Sequence, residues 1–527
     1  LKRLEETVHQ HNWAQKFVWG ALFSGVLTSI YMAMWEFGVG PNPSFDLVDL
    51  IIDYSPGAVA TWAIETLGRV GKLLITLTGI AVWMFLGGGV AFGVQALVPG
   101  ATKPMALTGY LAFGYFAFQV TVAGTSGIEN GNDIVVLLTT SIAWALIVQY
   151  ITKNRTVRYP AVSATSFLSR ELKRRRLMTT VYAPAAALTV GSLGLWTVAR
   201  NGRDTLGAPF TEVSKSVSEI LDPGSPPSFI PAPHTRSAVT PNRDFYTVDT
   251  ESRVPIIKAQ DWSLTVTGLV DQRLDLSYDE LLAMERLKSY GTLQCISNEV
   301  GGNLIGTALW EGIPLGALLQ RAGVHDAAVD VVLVALGGYS DSIPIEKAME
   351  PDTLLAYSMN GTPLPANHGF PVRAYIPNIY GMKNVKWLRE IRVVESDYRG
   401  FWQNKGWSDV ATVKTTSAID LPDLRTSASF PNHPIDFGGI AYAGSRGIRE
   451  VQYRIDSADQ WMGAELEQPL SRNTWVRWKS ALNLDPGRYQ LESRAVDKEG
   501  TAQEAASTAT HPDGAGGYHR VKIRIKP

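Results

Sequence analysis

The sequence predicts a multi-domain protein with an all-α region of five transmembrane helices over residues 1–200 and a linker over 201–230. An α+β domain over 231–409 and a C-terminal immunoglobulin-like β-sandwich over 410–527 complete it. Three observations carry that reading. Long apolar runs fill the first part, short strand-type runs alternate with helical patches in the middle, and strand-type runs separated by turn residues fill the last. A chain of 527 residues also needs more than one core, because single cores stop growing near ~250–300 residues.

The apolar runs are Phe17–Val39, Leu73–Val98, Met105–Ala123, Ile134–Tyr150 and Leu177–Val198. Crossing the hydrocarbon core takes ~20 apolar residues, so each run is read as a span, and the lipid bilayer becomes an expected partner. Lys153, Arg155, Arg158, Arg170, Lys173, Arg174, Arg175 and Arg176 crowd the loop between the fourth and fifth runs. Basic loops stay on the cytoplasmic side, which places everything after Ala199 on the extracytoplasmic side of the cytoplasmic membrane. Gly89 and Gly93, one helical turn apart, suit close helix packing. Arg174–Met178 followed by a moderately apolar stretch reads either as basic flanking or as an internal twin-arginine export signal.

The linker is rich in Pro, Ser and Gly, as in Asp222–Ser228. Beyond it, Trp262–Val266 and Val331–Ala335 have strand character, while Tyr278–Arg286 and Pro314–Ala322 have helical character. After about Val410 the strand-type runs are Gly439–Tyr442, Glu450–Ile455, Trp475–Trp478, Tyr489–Ala495 and Val521–Ile525, the pattern of a sandwich.

Composition excludes several functions. A formal net charge of -1 offers no global field for nucleic acid. One cysteine rules out an intramolecular disulfide framework, a metal cage of several thiolates, and a Cys-x-x-Cys-His haem attachment. The eight histidines stand at 9, 11, 234, 325, 368, 433, 511 and 519, and none lies in an apolar run. Membrane b-type haem is usually held by a pair of axial histidines, so no haem is expected.

The single cysteine, Cys295, lies in Gly291–Gly302, a stretch poor in hydrophobic bulk after Ile296. A lone cysteine is more often a small buried hydrophobe than a reagent. Asn298, Gly301 and Gly302 instead suggest a loop open to a ligand, where a soft thiolate serves as nucleophile or metal ligand. A second constellation runs from Asn360 to Arg373 and from Tyr380 to Leu388. Its glycines and prolines set turns, while His368, Arg373 and Lys386 supply cationic or hydrogen-bonding heads suited to a phosphate. A solvated basic face is the alternative reading.

Taken together, several ordered motifs resemble the sulfite oxidase family of molybdopterin enzymes. They are Leu-x-Cys295-x-x-Asn298, Ile305-Gly306-x-x-x-Trp310-x-Gly312-x-Pro314-Leu315, Leu355-Ala356-Tyr357-x-Met359-Asn360-Gly361, His368-Gly369-x-Pro371-x-Arg373 and Gly381-x-Lys383-x-Val385-Lys386-Trp387-Leu388. The likeness spans about Pro226 to Pro527. Ile440–Ile448, Trp461, Trp478 and Arg494–Asp497 are similar to that family's Mo-cofactor dimerisation domain, which implies a homodimer.

The resemblance implies a molybdenum centre held by one pyranopterin dithiolene and by the Cys295 thiolate, the catalytic residue and metal ligand. It assigns His368 and Arg373 to the pterin phosphate, with Asn384, Val385 and Lys386 completing the cradle. It assigns Asn242, Phe245 and Tyr246 to the amino-terminal cofactor loop. Oxo transfer to or from a small-molecule substrate follows, with the cofactor performing the redox step. Arginines that bind sulfite in that family fall at positions that here hold Val248, Glu299 and Val300, and Trp407 stands near the place of the family's tyrosine after Trp402-Gln403. Each charge-assisted hydrogen bond lost is worth ~1.5–3 kcal/mol, so a neutral or weakly charged substrate is expected rather than sulfite. Electrons then pass through a separate partner. The competing reading is a cell-surface binding module with a degenerate cofactor fold and an inert Cys295.

Overall fold

The computed structural model describes residues 229–251, 254–420, 428–430, 435–456 and 458–525, the helix α1 (Pro43–Tyr54), and isolated positions and short stretches between 17 and 89. The chain divides into two compact units, Leu1–Ser55 with Thr66–Thr211, and Pro56–Glu65 with Glu212–Pro527.

The expected all-α membrane region is corrected by the structure. Among the described residues no helix is long and apolar enough to cross a membrane. The helix α1 has 12 residues and carries buried Asp46 and Asp49, and it occupies a stretch expected to be a loop. The described chain is mostly β-strand in several sheets, so the predicted fold class does not hold. An apolar run sets composition, whereas a span needs some 18 or more residues in one unbroken helix. The first two runs are described only in part, and Met105–Ala123, Ile134–Tyr150, Leu177–Val198 and the twin-arginine stretch lie outside the described residues.

In the second unit the chain opens with β1 (Ser263–Gly268), β2 (Leu274–Ser277) and the short helix α2 (Tyr278–Leu282). Ser277 starts α2 with a capping box: its hydroxyl accepts the Glu280 N–H while its own N–H donates to the Glu280 carboxylate at 2.8 Å. Next come β3 (Leu287–Gln294), β4 (Ile305–Pro314) and α3 (Leu315–Ala322). Leu315, Leu318, Leu319 and Ala322 share one buried face of α3, and Gly323 ends it with φ 71°. The chain continues through β5 (Asp330–Ala335), β6 (Ser340–Pro344), α4 (Ile345–Ala348), β7 (Leu354–Met359), β8 (Thr362–Pro363), β9 (Arg373–Tyr375) and β10 (Leu388–Val394).

Two sheets result. One has the order β2-β1-β10-β5-β6, with β1 and β10 parallel, and the other the order β3-β4-β7-β8, with β9 also on β7. Every residue of β5 is buried, as expected of an apolar β-branched run inside a sheet. The first core joins Leu264 and Val266 of β1, Val331 and Leu333 of β5, Ile391 and Val393 of β10 and the buried face of α3.

Residues 416–525 form two further sheets. The strands are β11 (Thr416–Asp420), β12 (Ala428–Phe430), β13 (Ile435–Tyr442), β14 (Ile448–Ile455), β15 (Met462–Gly463), β16 (Glu465–Leu466), β17 (Val476–Leu482), β18 (Gly487–Asp497) and β19 (His519–Ile525). Their orders are β11-β13-β17-β16 and β12-β19-β18-β14-β15, packed around Phe437, Trp478, Val451, Ala495 and Ile523. Burying a side chain such as Phe437 stabilises the fold by ~1.5–3 kcal/mol.

A third cluster ties the sandwich to the preceding sheets. Ile296, Ile305, Tyr380 and Trp407 pack with Ala418, Ile440, Tyr442 and Trp475. Polar contacts fix the same seam: Thr292 Oγ1 accepts the Trp475 N–H at 2.8 Å, and Tyr442 donates its hydroxyl to the Thr292 carbonyl at 3.1 Å. The strand that leads into Cys295 is therefore clamped from the sandwich side.

Candidate active site

Cys295 leaves the end of β3 as the first residue of a closed loop. Its N–H donates to the Leu304 carbonyl at 2.9 Å, and the Asn298 side chain accepts the Leu304 N–H at 2.8 Å. A Cβ on Gly302 would lie 2.6 Å from Asn298 Oδ1, so the loop closes only around a glycine. Cys295 is buried, with its sulfur 3.0 Å from Ser297 Oγ. Burial pushes its thiol up, and the Ser297 contact partly offsets this.

The same burial brings together residues far apart in the chain. One cavity, with about 890 Å³ of empty space counted out to its mouth, is lined by Phe245, Tyr246, Cys295, His368, Arg373, Asn384, Val385 and Lys386 among others.

Arg373, at the start of β9, is the electrostatic centre of this cavity. Its guanidinium donates only to backbone carbonyls, of His368 at 3.0 Å, Asn384 at 3.1 Å and Ala374 at 3.3 Å. It lies 5.3 Å over the Trp310 ring, and no carboxylate pairs with it among the described residues. Burial pushes its pKa down to about 10, with Tyr246 acting in the opposite sense. A buried cation without a counter-charge is costly, and an anionic ligand is what relieves it.

His368 closes the short 3-10 turn Ala366–His368 and is almost fully buried. Its Nε2 lies 2.8 Å from the Asn242 carbonyl, which only accepts, so that nitrogen carries the proton. Burial pushes its pKa down to about 4, and Arg373 and Lys386 add to the effect, which keeps the ring neutral. Phe245 packs edge-on against both His368 and Trp310, and a Cβ on Gly306 would meet its ring at 2.7 Å.

Lys386 pairs with Asp249 at 2.8 Å, donates to the Asn367 carbonyl at 3.2 Å and covers the Trp387 ring at 4.3 Å. Gly369, with φ 112°, lets this strand and turn approach: an added Cβ would stand 3.0 Å from Arg373 Cβ and 3.1 Å from Lys386 Cβ. A backbone cradle of this kind, a buried guanidinium without a counter-charge and a soft thiol fit a group that is anionic at one end and metal-bearing at the other.

Two expected residues act differently from the rest. Asn242 is not part of the cavity lining; its side chain donates to Met359 O and Thr362 Oγ1, each at 3.2 Å, and accepts from Asn360 at 2.8 Å. It thereby holds the carbonyl that orients His368. Asn384 does line the cavity, yet its side chain is spent on the Ile376 N–H at 2.6 Å and on the Tyr380 and Ile379 carbonyls.

Sequence reasoning missed Tyr339, Met382 and Asp249, which also line the cavity. The Gly337-Gly338 turn after β5 was the available signal for Tyr339. Val248, Ile296, Trp402 and Trp407 make the remaining wall largely apolar and aromatic, and Trp402 and Trp407 meet edge-on at 6.2 Å.

Residues 251–402 match the family described as the oxidoreductase molybdopterin binding domain. Among curated proteins, the mitochondrial sulfite oxidase of Drosophila melanogaster is 29% identical over an alignment covering 62% of this chain and 67% of that protein. The sulfite oxidase of Gallus gallus is 30% identical, covering 50% of this chain and 68% of that one. An uncharacterised oxidoreductase of Bacillus subtilis, YuiH, is 34% identical over 28% of this chain and 72% of its own. The chain spans about two thirds of the length of the animal sulfite oxidases it matches, from 63% of the human protein to 68% of the chicken one. With these matches laid over the cavity, the chain belongs to the sulfite oxidase family of molybdopterin-binding oxidoreductases.

Proposed function

We propose that the second unit holds a molybdenum–pyranopterin cofactor and carries out two-electron oxo transfer on a small substrate of little or no charge. One observation carries the reading: the buried guanidinium of Arg373, without a counter-charge among the described residues, faces the same cavity as the only cysteine of the chain. Arg373 and Lys386, with His368 held neutral beside them, would take the anionic end of the cofactor, and Cys295 would supply its protein thiolate. When bound, the group supplies two-electron oxidation and reduction coupled to transfer of one oxygen atom. A bound metal cation would favour the ionised sulfur of Cys295, against the burial that pushes the free thiol up.

The protein's own residues then select the substrate. Val248, Ile296, Tyr339, Met382, Trp402 and Trp407 line the cavity and exclude water without offering a cation. An S-oxide or N-oxide suits this wall better than a dianion, which would require desolvation with few compensating charges. A separate electron carrier completes the reaction.

Metal analysis of protein from a molybdenum-replete host tests the reading. Approximately one molybdenum per chain is expected, lost in Cys295→Ser; folded, metal-free protein would overturn it. Turnover of sulfite at rates typical of sulfite oxidases would overturn the substrate class alone.

A further inference from the structure

We propose that a buried line of side chains, Tyr339, Asp341, Lys383 and Asp409, conducts protons between the cavity and a second, solvent-facing pocket. The inference rests on the oxidoreductase reading above and deepens it. Tyr339 and Met382 line the cavity that contains Cys295, whereas Ser342, Lys383 and Asp409 line the second pocket together with Asp330, Lys347 and Glu350. Asp341 sits between the two with no exposed side-chain surface; Lys383 is 3% exposed and Asp409 33%.

The geometry is continuous. Tyr339 donates its hydroxyl to the Met382 carbonyl at 2.7 Å and stands 3.4 Å from Asp341 Oδ2. Lys383 Nζ donates to Asp341 Oδ1 at 2.9 Å and to the Ser342 carbonyl at 2.8 Å, and lies 3.5 Å from Asp409 Oδ1. Gln403 Nε2 donates to Asp341 Oδ2 at 3.2 Å and holds the carboxylate in this orientation. A buried ion pair is poor evidence for stability, since apolar replacements are often as stable. One that joins two pockets at its ends has a use beyond stability.

Oxo transfer needs that use. Reduction of an oxide follows RO + 2 e− + 2 H+ → R + H2O: one R–O bond breaks, two O–H bonds form, and an external electron carrier supplies the electrons. The reverse direction releases the same two protons. The reacting oxygen would sit beside buried Cys295, away from bulk water, so its protons take an inner route. Tyr339 gives its hydroxyl proton to the departing oxygen, Lys383 passes a proton through the Asp341 carboxylate to the tyrosine oxygen, and Asp409 and solvent restore Lys383. Burial raises the pKa of Asp341 against the opposing pull of Lys383, which brings its protonated form within reach.

Rapid mixing of molybdenum-loaded protein with a reduced viologen in weak buffer, with a pH-indicator dye present, reads electron uptake and proton uptake separately. In the wild type both proceed together. The charge-neutral double variant Asp341→Asn with Lys383→Gln is expected to bind molybdenum and melt as the wild type does, yet to take up protons at least about tenfold more slowly. A small permeant acid such as formate should restore its rate, which a merely structural role would not allow. Asp409→Asn, at the half-buried end, should slow uptake by about two- to fivefold.

Proton uptake at the wild-type rate in the folded, loaded double variant overturns the relay, as does slowing that formate fails to relieve. Should the double variant not fold, an unslowed Asp409→Asn overturns it. A relay failure with molybdenum bound leaves the proposed function standing; a wild type that binds no molybdenum removes both.

Discussion

His519 of the sandwich and Gly301 of the cysteine loop are fitted to each other. The Nδ1 of His519 accepts the Ile419 N–H at 2.9 Å, while a Cβ placed on Gly301 would collide with the imidazole. Arg236 reinforces the joint, donating to the Gly301 carbonyl at 3.4 Å and pairing with Asp420 at 3.1 Å. The loop that presents Cys295 is thus shaped by His519, more than 200 positions downstream, and by Arg236, which precedes it in the chain.

Gly301→Ala is expected to destabilise the protein by about 1–3 kcal/mol, since it adds both a positive-φ penalty at 78° and the collision with His519. Urea denaturation reads the cost, and metal analysis should show reduced molybdenum loading. An unchanged urea midpoint would mean that the loop is free to move away from the imidazole.

The same histidine makes stability depend on pH. Burial, with Arg236 adding to it, pushes His519 down to about 4, below its ordinary value of 6.5. The native state therefore favours the neutral ring, whose contribution is fully present above about pH 6.5. As pH falls from there toward 4, the unfolded chain binds the proton first and that stability is lost, with a slope approaching about one proton. His368, also near 4, contributes in the same window. His519→Gln keeps an acceptor for the Ile419 N–H and should reduce the slope by about one proton; a slope identical to the wild type would count against the assignment.

Arg373→Met separates cofactor binding from folding. Removing a buried cation without a counter-charge should leave the melting temperature of the cofactor-free protein unchanged or higher. Cofactor affinity should fall by at least about tenfold, the equivalent of one charge-assisted hydrogen bond at ~1.5–3 kcal/mol. Thermal melts of the cofactor-free protein, set beside molybdenum content, check both. A variant that melts much lower yet still loads fully would show that the guanidinium serves the fold instead.

Val248→Arg tests the origin of substrate preference. Val248 lines the cavity with 37% of its surface exposed, so a guanidinium can be added there without breaking a core. Inhibition by sulfate and turnover of sulfite should both strengthen by about tenfold, the equivalent of a gained charge-assisted contact. Equal response to oxyanions in both proteins would place the selectivity elsewhere in the cavity.

Much of the site is legible in the amino-acid order alone. Motifs mark Cys295, Phe245, Tyr246, His368, Arg373, Asn384, Val385 and Lys386, and all of them line one cavity. Such motifs stand out because a thiol, a buried arginine and a tight glycine turn such as Gly369 have few substitutes for the jobs they do. The separate duties of neighbours are not legible in the same way. Asn242 and Asn384 are both polar residues assigned to the cofactor, yet Asn384 spends its side chain on backbone groups and Asn242 on the Met359 carbonyl and the Thr362 and Asn360 side chains.

Ordered local motifs thus carry the family, and residue identity carries the chemistry of the groups at hand. Which charges stand without partners, and which are joined, is set by folding, because such pairs are distant along the chain. Asp341 and Lys383 lie 42 positions apart, and only the packing of β6 against the Gly381–Lys383 turn brings them to 2.9 Å. Apolar composition is a local property, whereas a membrane span is a continuous helix; among the described residues, which include the first two apolar runs only in part, no helix is long and apolar enough to cross a membrane.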